Sequence, residues 1–72
     1  MRNTLEDTYI KNIENAIRGI RLNTKTPQDV GATVSSNMEK LKSLNEGMAD
    51  ELMKTYKNVT EDYNKRKKNR SL

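Results

Sequence analysis

Apolar residues recur every three or four positions in two separate stretches of this chain. In the first stretch, one row is formed by Leu5, Tyr9, Ile13, Ala16 and Ile20, with Ile10 and Ile17 beside it. Because an α-helix has about 3.6 residues per turn, this spacing places the row on one face of a helix. The pattern predicts a first helix over about residues 4–22. Arg18 and Arg21 fall in its last turns, where cations suit the helix dipole.

The second stretch carries a longer row of apolar residues at the same spacing, which we call the apolar stripe. Its members are Val30, Val34, Leu41, Leu44, Met48, Leu52, Tyr56, Val59 and Tyr63. Thr26 is a good N-cap, Pro27 suits the first helical position, and Asp29 follows three residues after the cap. These signals predict a second helix over about residues 27–66, joined to the first by a short turn.

The sequence Asn45-Glu46-Gly47 interrupts this stretch and leaves an alternative open. Glycine after asparagine is typical of a helix C-terminus. A turn at Asn45–Gly47 would give helices over about 4–22, 27–45 and 48–66, which would form a compact three-helix bundle. However, the stripe keeps its spacing across the glycine, and one glycine inside a helix costs only about 1 kcal/mol. We therefore favour a continuous second helix.

The favoured fold is an all-α antiparallel hairpin with helices of unequal length. At 1.5 Å per residue, the first helix is about 27 Å long and the second about 60 Å. The first helix can then cover only half of the stripe, and each large side chain left in water forgoes about 1.5–3 kcal/mol. A second copy is the simplest cover. The pattern thus predicts self-association into a four-helix bundle or coiled coil, with the stripe as the partner or oligomer interface.

Composition limits the chemistry that the chain can perform. The 72 residues allow one domain, assigned to residues 1–66, and they include neither cysteine nor histidine. Disulfides and the usual zinc and thiolate sites are therefore excluded. Adjacent carboxylates such as Glu6-Asp7 point about 100° apart on a helix, so they do not converge as a general acid and base must. We expect no enzyme, cofactor or metal site, and no small-molecule substrate is evident.

The positive charge is concentrated at the C-terminus. Residues 1–64 hold nine basic and ten acidic residues, a balance of 9 − 10 = −1, whereas the formal net charge of the chain is +4. The excess comes from Lys65, Arg66, Lys67, Lys68 and Arg70. Such a cluster can neutralise nucleic-acid phosphates or meet another acidic partner, or it can serve as a solvated tail. Residues 67–72 are expected to fray because no apolar stripe anchors them.

These patterns predict a non-enzymatic helical module that binds itself or another helical protein through the stripe. The alternative is a small nucleic-acid-binding accessory protein that uses the basic tail. The sequence contains no run of about 18 apolar residues, and its first residues are acidic where a signal peptide needs an apolar core. We therefore expect a soluble protein that is cytoplasmic or otherwise intracellular, including the interior of a virion.

Overall fold

A computed structural model of the chain describes residues 4–70, with side chains up to residue 67. This part of the chain forms three α-helices, namely α1 (Thr4–Arg21), α2 (Pro27–Leu44) and α3 (Glu46–Arg70). No strand occurs among the described residues, so the predicted all-α class is confirmed. Each helix packs against the other two, and the molecule measures 49 × 19 × 18 Å.

The turn between α1 and α2 is built on a left-handed residue. Asn23 has φ 61°, a conformation that asparagine tolerates better than most residues. Its N–H donates to Ile20 O at 3.2 Å, and Thr24 N–H donates to Gly19 O at 2.9 Å. This is the Schellman pattern, which satisfies the last carbonyls of a helix. The chain thereby reverses direction in five residues and lays α2 antiparallel on α1.

The predicted start of the second helix is confirmed in detail. Asp29 N–H donates to Thr26 Oγ1 at 3.1 Å, and Thr26 N–H donates to Asp29 Oδ2 at 3.1 Å. The two residues therefore form a reciprocal capping box, with Pro27 at the first helical position. Local sequence is sufficient to define this boundary, because every group that makes it lies within four residues.

The prediction of a continuous second helix is wrong, because the chain breaks at Asn45. This residue has φ −154° and ψ 89°, and it separates α2 from α3 by itself. Its Oδ1 accepts from Met48 N–H at 3.1 Å, which caps α3, and its Nδ2 donates to Glu6 Oε1 at 2.8 Å, which ties the junction to α1. The break folds α3 back over α1 and α2, so the row that a straight helix would expose is covered within the chain.

One apolar core lies between the three helices. Its largest fully buried side chains are Ile13, Ile20, Val34 and Leu41. α3 contributes Ala49, Leu52 and Val59 to the same cluster. A polar contact also crosses the interface between α1 and α2, where Asn12 Nδ2 donates to Asn37 Oδ1 at 3.0 Å. A pair of this kind fixes how the two helices are aligned, since sliding either helix would leave a partly buried amide unpaired.

The third helix is longer than the other two and continues past the α1–α2 turn. It has 25 residues against 18 in α1 and in α2, a difference of about 10 Å in length. The segment 67–72 was expected to fray, whereas α3 remains helical through Arg70. The rest of that predicted tail, residues 71–72, lies outside the described part of the chain.

Candidate anion-binding surface

The apolar stripe proposed as an interface lies mostly inside the folded chain. Five of its nine residues are buried, and Met48, Tyr56 and Tyr63 pack against the core while half-buried. Only Leu44 is exposed, at 47%. The buried members are Val30, Val34, Leu41, Leu52 and Val59. The stripe therefore needs no second chain to cover it, and its assignment to an interface between chains stays a prediction.

Basic side chains gather at the end of the molecule formed by the α1–α2 turn and the last turns of α3. We call this surface the basic end. Six side chains define it: Arg18, Arg21, Lys25, Lys65, Arg66 and Lys67. Two observations place the last turn of α1 and the last turns of α3 at this end. Arg66 and Lys67 line one hollow together with Asn23 of the turn, and Arg21 is the last residue of α1.

The acidic side chains at the basic end are too few to balance its positive charge, and half of that charge remains in excess. They are three in number, namely Asp29, Glu61 and Asp62. Asp62 Oδ2 lies 3.2 Å from Arg66 Nε, in an ion pair one helical turn apart. Hydrogen bonds from the Thr26 backbone and side chain, with the nearby charge of Lys25, lower the pKa of Asp29 below its ordinary value of 3.8. Asp29 is thus ionised at neutral pH and committed to the helix cap.

The remainder of the described chain has the opposite balance. Residues 4–17 and 30–60 contain five basic and seven acidic side chains, whereas the basic end contains six basic and three acidic ones. Charge is therefore segregated along the long axis of the molecule. A field of this shape attracts anionic partners to one end and orients them as they approach.

A groove of about 590 Å³ between α1 and α3 adjoins the basic end. Its walls carry Lys11, Glu14, Asn15, Arg18, Arg21 and Thr55, and its apolar contribution comes from Ile17 and Leu52. Those two apolar side chains are only 5% and 9% exposed. The α1 side of the groove carries both cations and the acidic Glu14, and the groove is continuous with the basic end through Arg18 and Arg21.

The basic surface in the structure includes residues beyond the C-terminal cluster that was expected from the sequence. Lys65, Arg66 and Lys67 of that cluster lie on α3 beside the turn. Lys68 and Arg70 belong to the same helix, but their side chains lie outside the described part. Sequence reasoning missed the contribution of Arg18 and Arg21, which were assigned to the dipole of α1. Only the fold, which lays the last turns of α3 beside the α1–α2 turn, brings the two groups to the same end of the molecule.

Within the described residues, no three acidic, histidine or cysteine side chains converge as a metal ion would require. In the same part of the chain, no helix combines the length and apolar character needed to cross a membrane. The sequence matches no family model, and comparison with curated proteins and with solved structures finds no match either. The geometry and charge of this chain are therefore what indicate its function.

Proposed function

We propose that this chain is a non-enzymatic helical module that binds nucleic acid through its basic end. The observation that carries the proposal is that basic side chains from α1, the turn and α3 lie at the same end of the molecule. The three-helix core supports this role by holding the two helix ends in fixed relation. The function resembles the alternative expected from the sequence, with a surface built from two helices rather than from a tail.

A polar surface is the best candidate for contact because the exposed apolar side chains are scattered. The large exposed ones are Leu5, Leu22, Leu44 and Met53, at 39–64% exposure. Leu22 follows α1 at the basic end, whereas Leu5 and Leu44 lie near the opposite end, where α1 begins and α2 finishes. A stable protein–protein interface buries about 800 Å² on each partner around an apolar centre. The described surface offers no such centre.

The chemistry of the basic end suits a phosphate backbone. Lysine ammonium groups and arginine guanidinium groups bind phosphate oxygens by charge-assisted hydrogen bonds, and arginine can do so with two donors at once. Contacts of this kind do not read base sequence. Each phosphate neutralised releases condensed counterions, so the logarithm of the binding constant should fall with the logarithm of salt concentration, by about 0.9 per phosphate for duplex DNA.

Fluorescence anisotropy with a labelled duplex, followed through a salt series, tests the proposal. The informative variant is Lys65→Glu/Lys67→Glu, which reverses two charges at the basic end and leaves the ion pair of Arg66 intact. The matched control is Lys42→Glu/Lys54→Glu, which changes the net charge equally at exposed positions away from the basic end. We expect the first variant to weaken binding at least about tenfold, and the control to have a much smaller effect.

Two results would contradict the proposal. One is the absence of binding by the native chain at low salt, and the other is an equal loss in both double variants, which would indicate a non-specific effect of net charge. A competition with poly-glutamate separates partner classes. Displacement of the duplex at equal charge concentration would assign the basic end to an acidic protein instead.

Self-association through the stripe was the other function expected from the sequence. It would need α3 to leave α1 and α2, because the same side chains cover one another inside the single chain. A four-helix bundle or coiled coil of intact hairpins therefore competes directly with the core of the monomer. Self-association avoids that loss only if α3 of each chain makes the same contacts with α1 and α2 of another chain.

A further inference from the structure

We propose that two copies of this chain can exchange α3, forming a dimer in which α2 and α3 of each copy join into one straight helix. The partner is a second copy of the same chain, and its contact surface is the face of α1 and α2 that α3 covers in the monomer. The proposal is independent of nucleic-acid binding. It rests on the junction at Asn45 and on the spacing of the apolar residues around it.

The junction is short enough to act as a hinge. Asn45 is the single residue between α2 and α3, and it is exposed. Its N–H already donates to Leu41 O at 2.7 Å, as in a continuing helix, and Ala49 N–H already donates to its carbonyl at 3.1 Å. Rotation about the backbone of this one residue is the main change needed to straighten the chain. Short hinge connections are known to favour domain swapping.

The apolar residues favour the straight form as much as the bent one. Leu41, Leu44, Met48 and Leu52 follow one another at intervals of three, four and four residues across the hinge. In a continuous helix these positions would share one face. A joined helix over residues 27–70 would be about 66 Å long, and two such helices could pack antiparallel, each presenting its α3 half to α1 and α2 of the other copy.

Hydrogen bonding at the hinge nearly balances between the two forms. The bent form keeps two hydrogen bonds of the Asn45 side chain, whose Oδ1 accepts from Met48 N–H and whose Nδ2 donates to Glu6 Oε1. The straight form loses them and instead pairs the N–H groups of residues 46–48 with the carbonyls of residues 42–44, which a helix end otherwise leaves without intrahelical partners. The contacts of α3 with α1 and α2 are the same in both forms, so the hinge decides the equilibrium.

Substitutions at the hinge should shift the equilibrium between the bent monomer and the straight dimer, and the direction depends on which form they favour. Asn45→Ala removes both side-chain bonds of the bent form and supplies the best helix former. Glu46→Pro does the reverse. Glu46 is the first residue of α3, where proline is well accepted, whereas inside a straight helix the proline ring would clash with the carbonyl of Lys42. Proline at 46 also disfavours helical angles at Asn45, which the bent form does not use.

The test measures the mass of each protein by sedimentation after refolding from denaturant at high concentration. Because each dimer contains two hinges, we expect Asn45→Ala to raise the association constant at least about tenfold over the native chain. Glu46→Pro should be monomeric, and the double variant Asn45→Ala/Glu46→Pro should be monomeric too. Where Asn45→Ala does not fold, Gly47→Ala replaces it, since an added Cβ there meets only Asn45 Oδ1 at 3.7 Å.

Exchange of α3 also predicts how the dimer forms. Two differently labelled dimers mixed under native conditions should stay unmixed, whereas unfolding and refolding the mixture should give hybrids. Monomeric Asn45→Ala after refolding would overturn the proposal. So would a dimer that survives Glu46→Pro in the double variant, because that dimer would form without a straight helix. Rapid hybrid formation under native conditions would likewise show that whole monomers associate and that α3 is not exchanged.

Discussion

Replacing Leu52 with alanine tests whether α3 covers the core within a single chain. Leu52 is 9% exposed and lies beside Ile17 at the floor of the groove between α1 and α3. Truncating a buried leucine to alanine costs about 2–5 kcal/mol, through lost burial and the cavity left behind. Because Leu52 borders a groove that water reaches, the surroundings can relax there. We expect the lower part of that range, about 2–3 kcal/mol.

That loss is large for a chain of this size. At about 0.05–0.15 kcal/mol per residue, a chain of 72 residues has a free energy of unfolding near 4–11 kcal/mol. A change of 1 kcal/mol moves the melting temperature of so small a domain by about 4–8 °C. Leu52→Ala should therefore lower the melting temperature by roughly 10–20 °C.

The assay is thermal unfolding followed by far-ultraviolet circular dichroism, on protein shown to be monomeric by sedimentation. The control is Met53→Ala, because Met53 is the next residue on α3 and is 39% exposed. Methionine and alanine are both good helix formers, so the control should shift the melting temperature little. Equal shifts for the two variants in the monomer would refute the reasoning, since Leu52 would then be covered only in an assembly of chains.

Two further predictions concern the ends of α1 and α2. Gly31→Ala should stabilise the fold by about 0.4–1 kcal/mol in urea unfolding, because an added Cβ meets nothing within 4 Å. Gly19→Ala should stabilise the fold less than Gly31→Ala, or destabilise it, since the added Cβ would lie 3.2 Å from three carbons of Lys25. An equal increase in the free energy of unfolding at both sites would contradict the packing described. The pKa of Asp29 is lower in the folded state than the value near 4 expected in the unfolded state. The ionised carboxylate therefore stabilises the folded state fully at pH above about 4, and this contribution is lost as pH falls through the folded pKa. Asp29→Ala should therefore destabilise the protein at neutral pH, and the difference should shrink as pH falls below about 4, as melting both proteins across that range would measure. A difference that stays constant with pH would refute the role of the ionised carboxylate in the cap.

Several features of the fold follow from local sequence because local contacts create them. The capping box of Thr26 and Asp29 closes within four residues, and the structure shows both of its hydrogen bonds. α1 was expected over residues 4–22 and spans Thr4–Arg21. Within the stripe, the residues expected on one helical face do point into a common core, apart from Leu44. Periodicity thus identified which side chains need cover.

The sequence by itself determined the helices and their apolar faces, and the tertiary structure decided what covers those faces. The spacing across Asn45 is the same for a straight and for a bent chain, so periodicity could not distinguish them. The bend has a local component, because Asn45 caps the Met48 N–H, but it also depends on a contact that no local pattern reveals, namely the bond from Asn45 to Glu6, 39 residues away. The same bend brings Arg66 and Lys67 of α3 beside Asn23, in the turn that follows α1. A basic segment thereby becomes one part of a larger basic surface, because only long-range packing sets distances between residues far apart in sequence.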